Sequence, residues 1–202
     1  MKLYESPSPN ARRVHLFMAE KGIDCERVAV DIRGGENLSA DYKAKNPAGR
    51  VPMLELDDGT CIGESVAICR YLEALHPEPN LFGTQPVELA QIEMWQRRSE
   101  LNFMMSVANA FRNITGFFKD RETPVKEFGE VSADVARSFV PMFDEQLGKT
   151  QFLAGDRFSI ADITFAVAWG FSKQVKVVEL PEAKNIERWL DEVNARPSFS
   201  AS

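Results

Sequence analysis

The chain has 202 residues, of which 44% are hydrophobic and 27% are charged, and its formal net charge is −6 at pH 7. This composition is typical of a globular protein with one ample core or two modest ones. No run of Lys or Arg exceeds two residues, so nucleic acid is not an expected partner. The longest apolar segment, ITFAVAWGF, is too short to cross a bilayer, and the amino terminus is too polar for a signal peptide. We therefore expect a cytoplasmic protein with no membrane partner.

The residues that most often bind metals are few and scattered. The three cysteines, Cys25, Cys61 and Cys69, form no C-x-x-C pair, which favours reduced thiols. The two histidines, His15 and His76, lie near no cysteine or carboxylate set at ligand spacing. We expect no metal site.

The amino-terminal part predicts a β-α-β unit. KLY is a short strand, and the turn SPSPN leads into the helix ARRVHLFMAEKG, which Gly22 ends. CERVAV then alternates as a second strand. The following segment, DIRGGENLSADYKAKN, is predicted to be a loop with at most a short helix.

A hairpin and a helix complete the first 76 residues. VPMLEL and TCIG flank Asp57-Asp58-Gly59, which is a strong hairpin signal. The helix that starts at Ser65 places an apolar face toward the core, formed by Val66, Ile68, Cys69, Leu72 and Leu75. We predict an α/β domain over residues 1–76.

The second half is helical in its periodicity throughout. The proline-rich segment 77–86 predicts a linker, and residues 87–202 predict an all-helical domain. The apolar stripes that carry this prediction contain Leu89, Ile92 and Trp95, then Val131, Val135 and Phe139, then Ile160, Ile163, Val167 and Phe171, then Ile186, Trp189, Leu190 and Val193.

One local signal in this half is sharp. In GDRFSIADI, Ser159 and Asp162 stand three residues apart and predict a capping box. Phe158 and Ile163 flank them at the spacing of a hydrophobic staple. We interpret this motif as structural, because it fixes where a core helix starts.

A proline stands where the first hairpin strand should begin. Pro52 has no amide to donate to a sheet ladder, so it belongs at the first residue of a strand or on an edge. The residue before it, Val51, is held extended with its own N–H and C=O free. Such a backbone can pair with something other than the sheet.

These features in this order identify a family resemblance. NPAGRVPML and GES after a β-α-β start, followed by FSIADI and RPSF in a helical half, resemble a cytosolic glutathione transferase of the bacterial, theta-, zeta- or nu-like serine type. The resemblance covers nearly the whole chain. It implies a thioredoxin-like domain joined to a helical bundle, a cis Val51–Pro52 bond and a homodimer. Arg97, Arg98 and Glu100 could reach across the dimer interface, although a solvated helix face explains these charges as well.

The resemblance also assigns a site for glutathione, which is an extended tripeptide with two carboxylates, an ammonium and a thiol. Val51 would pair with its backbone as an added strand, and Pro52 would keep that edge open. Ser65 would hold the γ-glutamyl carboxylate at a helix start, and Glu64 would face the ammonium. Arg50 stands where relatives often carry a cation facing the glycyl carboxylate, although a lone arginine in a loop is more often solvated.

Activation of the thiol would come from the turn SPSPN. The thiolate is the nucleophile, and an ordinary thiol pKa near 8.5 leaves only about 3% ionised at pH 7. Ser8 falls where theta- and zeta-like relatives place their serine, and Asn10 resembles the second donor of the nu-like group. Ser6 is a rival, because two serines stand two residues apart. The turn holds no cysteine, which disfavours mixed-disulfide chemistry.

The resemblance predicts that the helical domain forms the pocket for a small hydrophobic electrophile. LNFMMSVANAFRN offers candidate lining residues, although most suit a bundle core equally well: Phe103, Met104, Met105, Asn109 and Phe111. Two alternatives stay open. The protein could reduce disulfides or peroxides with glutathione, as nu-like enzymes do, or could bind glutathione without turnover.

Overall fold

The computed structural model describes residues 1–200, which form two units. The first contains Met1–Asn80 and the short carboxy-terminal helix α9 (Pro197–Ser200). The second contains Leu81–Arg196. The division falls after Asn80, inside the segment that the sequence predicts to be a linker.

The first unit follows the predicted order β-α-β, loop, β-β-α. Its elements are β1 (Lys2–Glu5), α1 (Pro9–Lys21), β2 (Glu26–Ala29), a 3₁₀ turn (Glu36–Leu38), α2 (Ala40–Lys45), β3 (Met53–Glu55), β4 (Cys61–Ile62) and α3 (Ser65–Leu75). The four strands form one mixed sheet in the order β2-β1-β3-β4. The predicted thioredoxin-like arrangement is confirmed.

The strand register determines which loops meet. β1 runs parallel to β2 and antiparallel to β3, with Tyr4 opposite Met53. β3 in turn runs antiparallel to β4, with Leu54 opposite Ile62. The end of β1, the start of β3 and the end of β4 therefore share one end of the sheet. The turn after β1, the segment before β3 and the start of α3 are brought there together.

Helices α1 and α3 pack against each other in this unit. The buried face of α3 consists of Ser65, Ile68, Cys69 and Leu72. The prediction that Leu75 belongs to this face is wrong: its side chain is 50% exposed, because α3 ends at this residue.

The second unit is entirely helical in its regular elements, as predicted. These are α4 (Pro86–Arg97), a π-helical stretch (Arg98–Met104), α5 (Met105–Thr115), α6 (Lys126–Leu147), α7 (Ile160–Val175) and α8 (Lys184–Asn194). Its core is aromatic around Phe103, whose ring centroid lies 5.4 Å from that of Phe165 and 5.8 Å from that of Trp169. No described helix in residues 1–200 combines the length and apolarity needed to span a membrane.

The buried face of α6 differs from the predicted stripe. Val131 and Val135 are 59% and 39% exposed, whereas Ala133 and Ala136 are buried. Small residues face α5 because the two helices approach closely: a Cβ added to Gly129 would lie 2.8 Å from Cγ1 of Ile114. Helical periodicity predicted the helix correctly, but side-chain size decided which face packs.

The predicted capping box at the start of α7 is confirmed. Asp162 is fully buried, and its carboxylate accepts hydrogen bonds from the Ser159 amide and hydroxyl, each at 3.0 Å. The Leu153 amide and the Trp189 indole donate to its other oxygen at 3.0 and 3.1 Å. The carboxylate therefore joins α7 to the loop before it and to α8. Burial raises its pKa to about 6, against the opposing effect of these donors.

Replacement of Asp162 by Ala leaves four buried donors unpaired. We expect Asp162→Ala to lower the free energy of unfolding by about 3–5 kcal/mol in urea titrations at pH 7. The exposed Asp156 supplies the matched control, because Asp156→Ala should stay within about 0.5 kcal/mol of the wild type. A loss below 1 kcal/mol at Asp162 would contradict this account of the carboxylate.

The raised pKa of Asp162 makes folding stability depend on pH in a predictable direction. The folded-state pKa of Asp162 is about 6 and exceeds the ordinary 3.8, so between these values the folded protein binds a proton that the unfolded chain lacks. Relative to that of Asp162→Asn, the free energy of unfolding of the wild type should therefore rise by about 2 kcal/mol as the pH falls from 7 to 4. A difference between the two proteins that does not change with pH would show that the carboxylate stays ionised throughout.

Candidate glutathione site

Val51 lies two residues before β3, at a bend in the chain, with its backbone open. Among residues 1–200, neither its N–H nor its C=O takes part in a hydrogen bond. The Val51–Pro52 bond is cis, as the resemblance implies. Pro52 is buried in the core, whereas Val51 is half-buried and remains accessible to a ligand.

Three side chains fix the backbone that leads into this edge. The Arg50 carbonyl accepts from the Tyr42 hydroxyl and from Asn46 Nδ2, both at 2.8 Å. The Gly49 carbonyl accepts from Asn37 Nδ2 at 2.7 Å. Burial raises the pKa of Tyr42 to about 12, so its phenol stays protonated and remains a donor at neutral pH. Sequence reasoning missed these three anchors, which are polar residues in a segment predicted to be loop.

Gly49 is required by the same turn. Its φ is +60°, in the left-handed region that side chains rarely adopt. A Cβ there would also lie 3.0 Å from the Asn37 backbone oxygen. The turn therefore places the Arg50 carbonyl within reach of its two donors.

The start of α3 carries free amides. The N-cap residue is Glu64, whose side chain makes no capping hydrogen bond. Among residues 1–200, the amides of Ser65, Val66 and Ala67 have no partner. Glu64 is exposed, and its φ of 62° lies in a region that non-glycine residues rarely adopt. Such a conformation costs about 1–3 kcal/mol, and residues strained in this way cluster at functional sites. An anion is favoured here by the amides and by the helix dipole.

A buried hydrogen bond fixes the Ser65 side chain. Its Oγ accepts a hydrogen bond from Nη1 of Arg13 on α1 at 2.8 Å, and both side chains are buried. Sequence reasoning missed Arg13. The available signal was an arginine within the apolar face of α1, beside Val14 and four residues before Phe17.

The predicted thiol-activating turn lies at the start of α1. Ser8 is the N-cap, and its Oγ accepts from the Ala11 amide at 3.2 Å. This bond fixes the oxygen and leaves the hydroxyl proton to donate elsewhere. Asn10 is exposed and Ser6 is half-buried, and neither side chain has a hydrogen-bond partner among the described residues.

The other predicted site residues divide into two groups. The Arg50 side chain is exposed, and its guanidinium makes no ion pair within residues 1–200. In the helical unit, Phe103 and Met104 are core residues at 0% and 6% exposure. Met105, Asn109 and Phe111 keep accessible surface. The described residues hold no cluster of three or more His, Cys, Asp or Glu side chains suited to a metal ion.

Two family profiles match the chain. The amino-terminal domain of glutathione S-transferase matches residues 7–75, and the carboxy-terminal domain matches residues 103–197. The chain belongs to the glutathione S-transferase family. As a member of this family, the protein is a transferase enzyme.

Full-length relatives agree with this assignment. Glutathione S-transferase 2 of Saccharomyces cerevisiae is 36% identical over 203 residues, covering 98% of this transferase and 87% of that protein. The crystal structure of Gtt2 from Saccharomyces cerevisiae has a TM-score of 0.94 at 34% identity, with 100% and 99% of the two chains covered. A class Gtt2 enzyme of Vibrio parahaemolyticus has a TM-score of 0.88 at 42% identity, with 100% and 96% covered.

The Tyr42 anchor is open to test in this transferase. Tyr42→Phe removes one of two donors to the Arg50 carbonyl, and we expect a loss of about 1 kcal/mol in unfolding free energy. Because Asn46 still holds the carbonyl, KM for glutathione should rise by about 2–5-fold, and Tyr42→Phe with Asn46→Ala should raise it further. Tyr71→Phe, on α3, is the control. Steady-state kinetics with an unchanged KM in the double variant would exclude an anchoring role.

Proposed function

We propose that this transferase binds glutathione as an added strand along Val51 and conjugates its thiolate to small hydrophobic electrophiles. The observation that carries the proposal is the unpaired backbone of Val51, at the end of the sheet where the turn before α1 and the start of α3 also lie. Strand addition to an open edge is a recurrent way to bind an extended peptide.

The charged groups of the tripeptide have complementary partners at this end of the sheet. The γ-glutamyl carboxylate would sit on the free amides and the Ser65 hydroxyl at the start of α3. The exposed Glu64 carboxylate would face the neighbouring ammonium, and the Arg50 guanidinium would face the glycyl carboxylate. Binding of a negatively charged ligand by an acidic protein then depends on local charge rather than on net charge.

Ser8 is proposed to stabilise the thiolate. Lowering a thiol pKa by about two units requires about 2.7 kcal/mol of differential stabilisation. One hydrogen bond to a charged group contributes about 1.5–3 kcal/mol, and the positive end of the α1 dipole adds to it. Asn10, whose amide is free to donate, is the proposed second donor.

Ultraviolet thiolate absorbance tests this assignment directly. We expect Ser8→Ala to raise the pKa of bound glutathione by about 1–2 units, because it removes the hydroxyl donor. Asn10→Ala should have a smaller effect, and Ser6→Ala is the matched control. Equal ionisation in the wild type and Ser8→Ala would exclude Ser8 and favour Ser6, Asn10 or a backbone amide as the activator.

The second unit is proposed to supply the apolar surface for the electrophile. Met105 and Phe111 retain exposure on α5, and a thioether beside an aromatic ring accommodates varied apolar groups. We infer a cytoplasmic homodimer, since dimerisation is typical of the family. The charged residues predicted to reach across the dimer interface have partners within the helical unit: Arg97 forms an ion pair with Glu100, and the Arg98 guanidinium lies over the Trp95 ring.

An activity panel separates transfer from the two alternatives. With glutathione saturating, we expect turnover of a chlorinated aromatic substrate to exceed reduction of a small disulfide by at least tenfold, because the accessible Met105 and Phe111 side chains favour an apolar electrophile. The reverse ratio would favour a glutathione-dependent reductase. Retention on immobilised glutathione with no turnover of either substrate would favour a binding protein.

A further inference from the structure

A charged residue lies within the buried face of α1. Arg13 is 0% exposed, and that face otherwise consists of Ala11, Val14, Leu16, Phe17 and Met18. Burial of a guanidinium is costly unless its charge and donors are used, and an apolar side chain of similar size would pack at this position without that cost. The position therefore calls for a role that an apolar side chain does not fill.

The contact with Ser65 supplies such a role. A hydroxyl has one proton to donate and two lone pairs that accept. The lone pair that faces Arg13 Nη1 is occupied at 2.8 Å, so the Ser65 proton is directed away from the guanidinium. Ser65 is 6% exposed, which leaves its hydroxyl few alternative orientations.

The Arg13 charge also affects a second residue of α3, Cys69. The positive charge opposes the effect of burial on the Cys69 thiol, whose pKa burial raises to about 12. Cys69 lies one helical turn beyond Ser65 on the buried face of α3. Arg13 thus adds a fixed positive charge next to a helix start that already presents three free amides.

We propose that Arg13 is a positioning residue for the α-carboxylate of the γ-glutamyl group. It holds the Ser65 hydroxyl as a donor toward that carboxylate and adds a buried positive charge beneath it. This inference rests on the proposed function and deepens it, because it states how the site selects the amino-acid end of the tripeptide. Arg13 touches neither the thiol nor the electrophile in this account.

The test compares two ligands in matched variants. Arg13→Met keeps most of the side-chain length without the charge, and Arg12→Met removes the neighbouring exposed arginine as a control. Calorimetry with glutathione and with its 4-aminobutyryl analogue, which lacks only the α-carboxylate, reports the carboxylate's share of binding. We expect Arg13→Met to weaken glutathione binding by about 10–30-fold and analogue binding by less than 2-fold. Arg12→Met should change neither.

Kinetics and a second pair of variants complete the test. In Arg13→Met, KM for glutathione should rise by a similar factor while kcat and the thiolate absorbance of the bound ligand stay unchanged. The losses from Arg13→Met and Ser65→Ala should be less than additive, because both act on one hydroxyl. Should Arg13→Met fail to fold, Arg13→Lys carries the same comparison, with a smaller loss that is again confined to glutathione.

The outcomes separate the two proposals. A wild type that prefers glutathione over the analogue, with the preference intact in a folded Arg13→Met, would overturn the role of Arg13 alone. Equal loss for both ligands would also overturn it, since that result indicates a purely structural role. A wild type that binds both ligands equally would instead refute the proposed carboxylate site at α3.

Discussion

The open backbone of Val51 is the constraint on which the candidate site depends. A strand edge is usually blunted, because it pairs with whatever extended chain it meets. Here Pro52 ends the ladder, and the carbonyls of Gly49 and Arg50 are already occupied by side chains of the preceding loop. Val51 therefore offers both an N–H and a C=O that are unpaired among the described residues, and the side chains that hold the preceding carbonyls fix its position before a ligand arrives.

At this end of the sheet, two helices each start at or beside a serine whose hydroxyl oxygen accepts a hydrogen bond. Ser8 accepts from the Ala11 amide, and Ser65 accepts from Arg13, so both hydroxyl oxygens are fixed and both protons are left to donate. Ser159, at the start of α7, is different, because its hydroxyl donates to the buried carboxylate of Asp162. The proton of Ser159 is thus used inside the fold, whereas those of Ser8 and Ser65 are left for the ligand contacts that we propose.

The two units rely on different kinds of buried charge. In the helical unit, the Asp162 carboxylate is surrounded by four donors and joins α7 to α8, which is a purely internal use. In the first unit, the Arg13 guanidinium donates to a residue at the candidate site. Burial is costly in both cases. The partners of Asp162 all lie within the helical unit, whereas ligand recognition is the role that we propose for Arg13.

The sequence was sufficient to predict the order of the elements, the hairpin, the capping box, the family, and the placement of Val51, Glu64 and Ser65 at a strand edge and a helix start. These follow from signals within a few neighbouring residues and from motif order. Three findings required the folded structure: Arg13 donates to Ser65, Tyr42 and Asn46 hold the Arg50 carbonyl, and α6 packs through small residues rather than through Val131 and Val135. The physical reason is that these contacts depend on how separate elements pack: Arg13 and Ser65 are 52 residues apart, and no local pattern encodes which buried face will meet which.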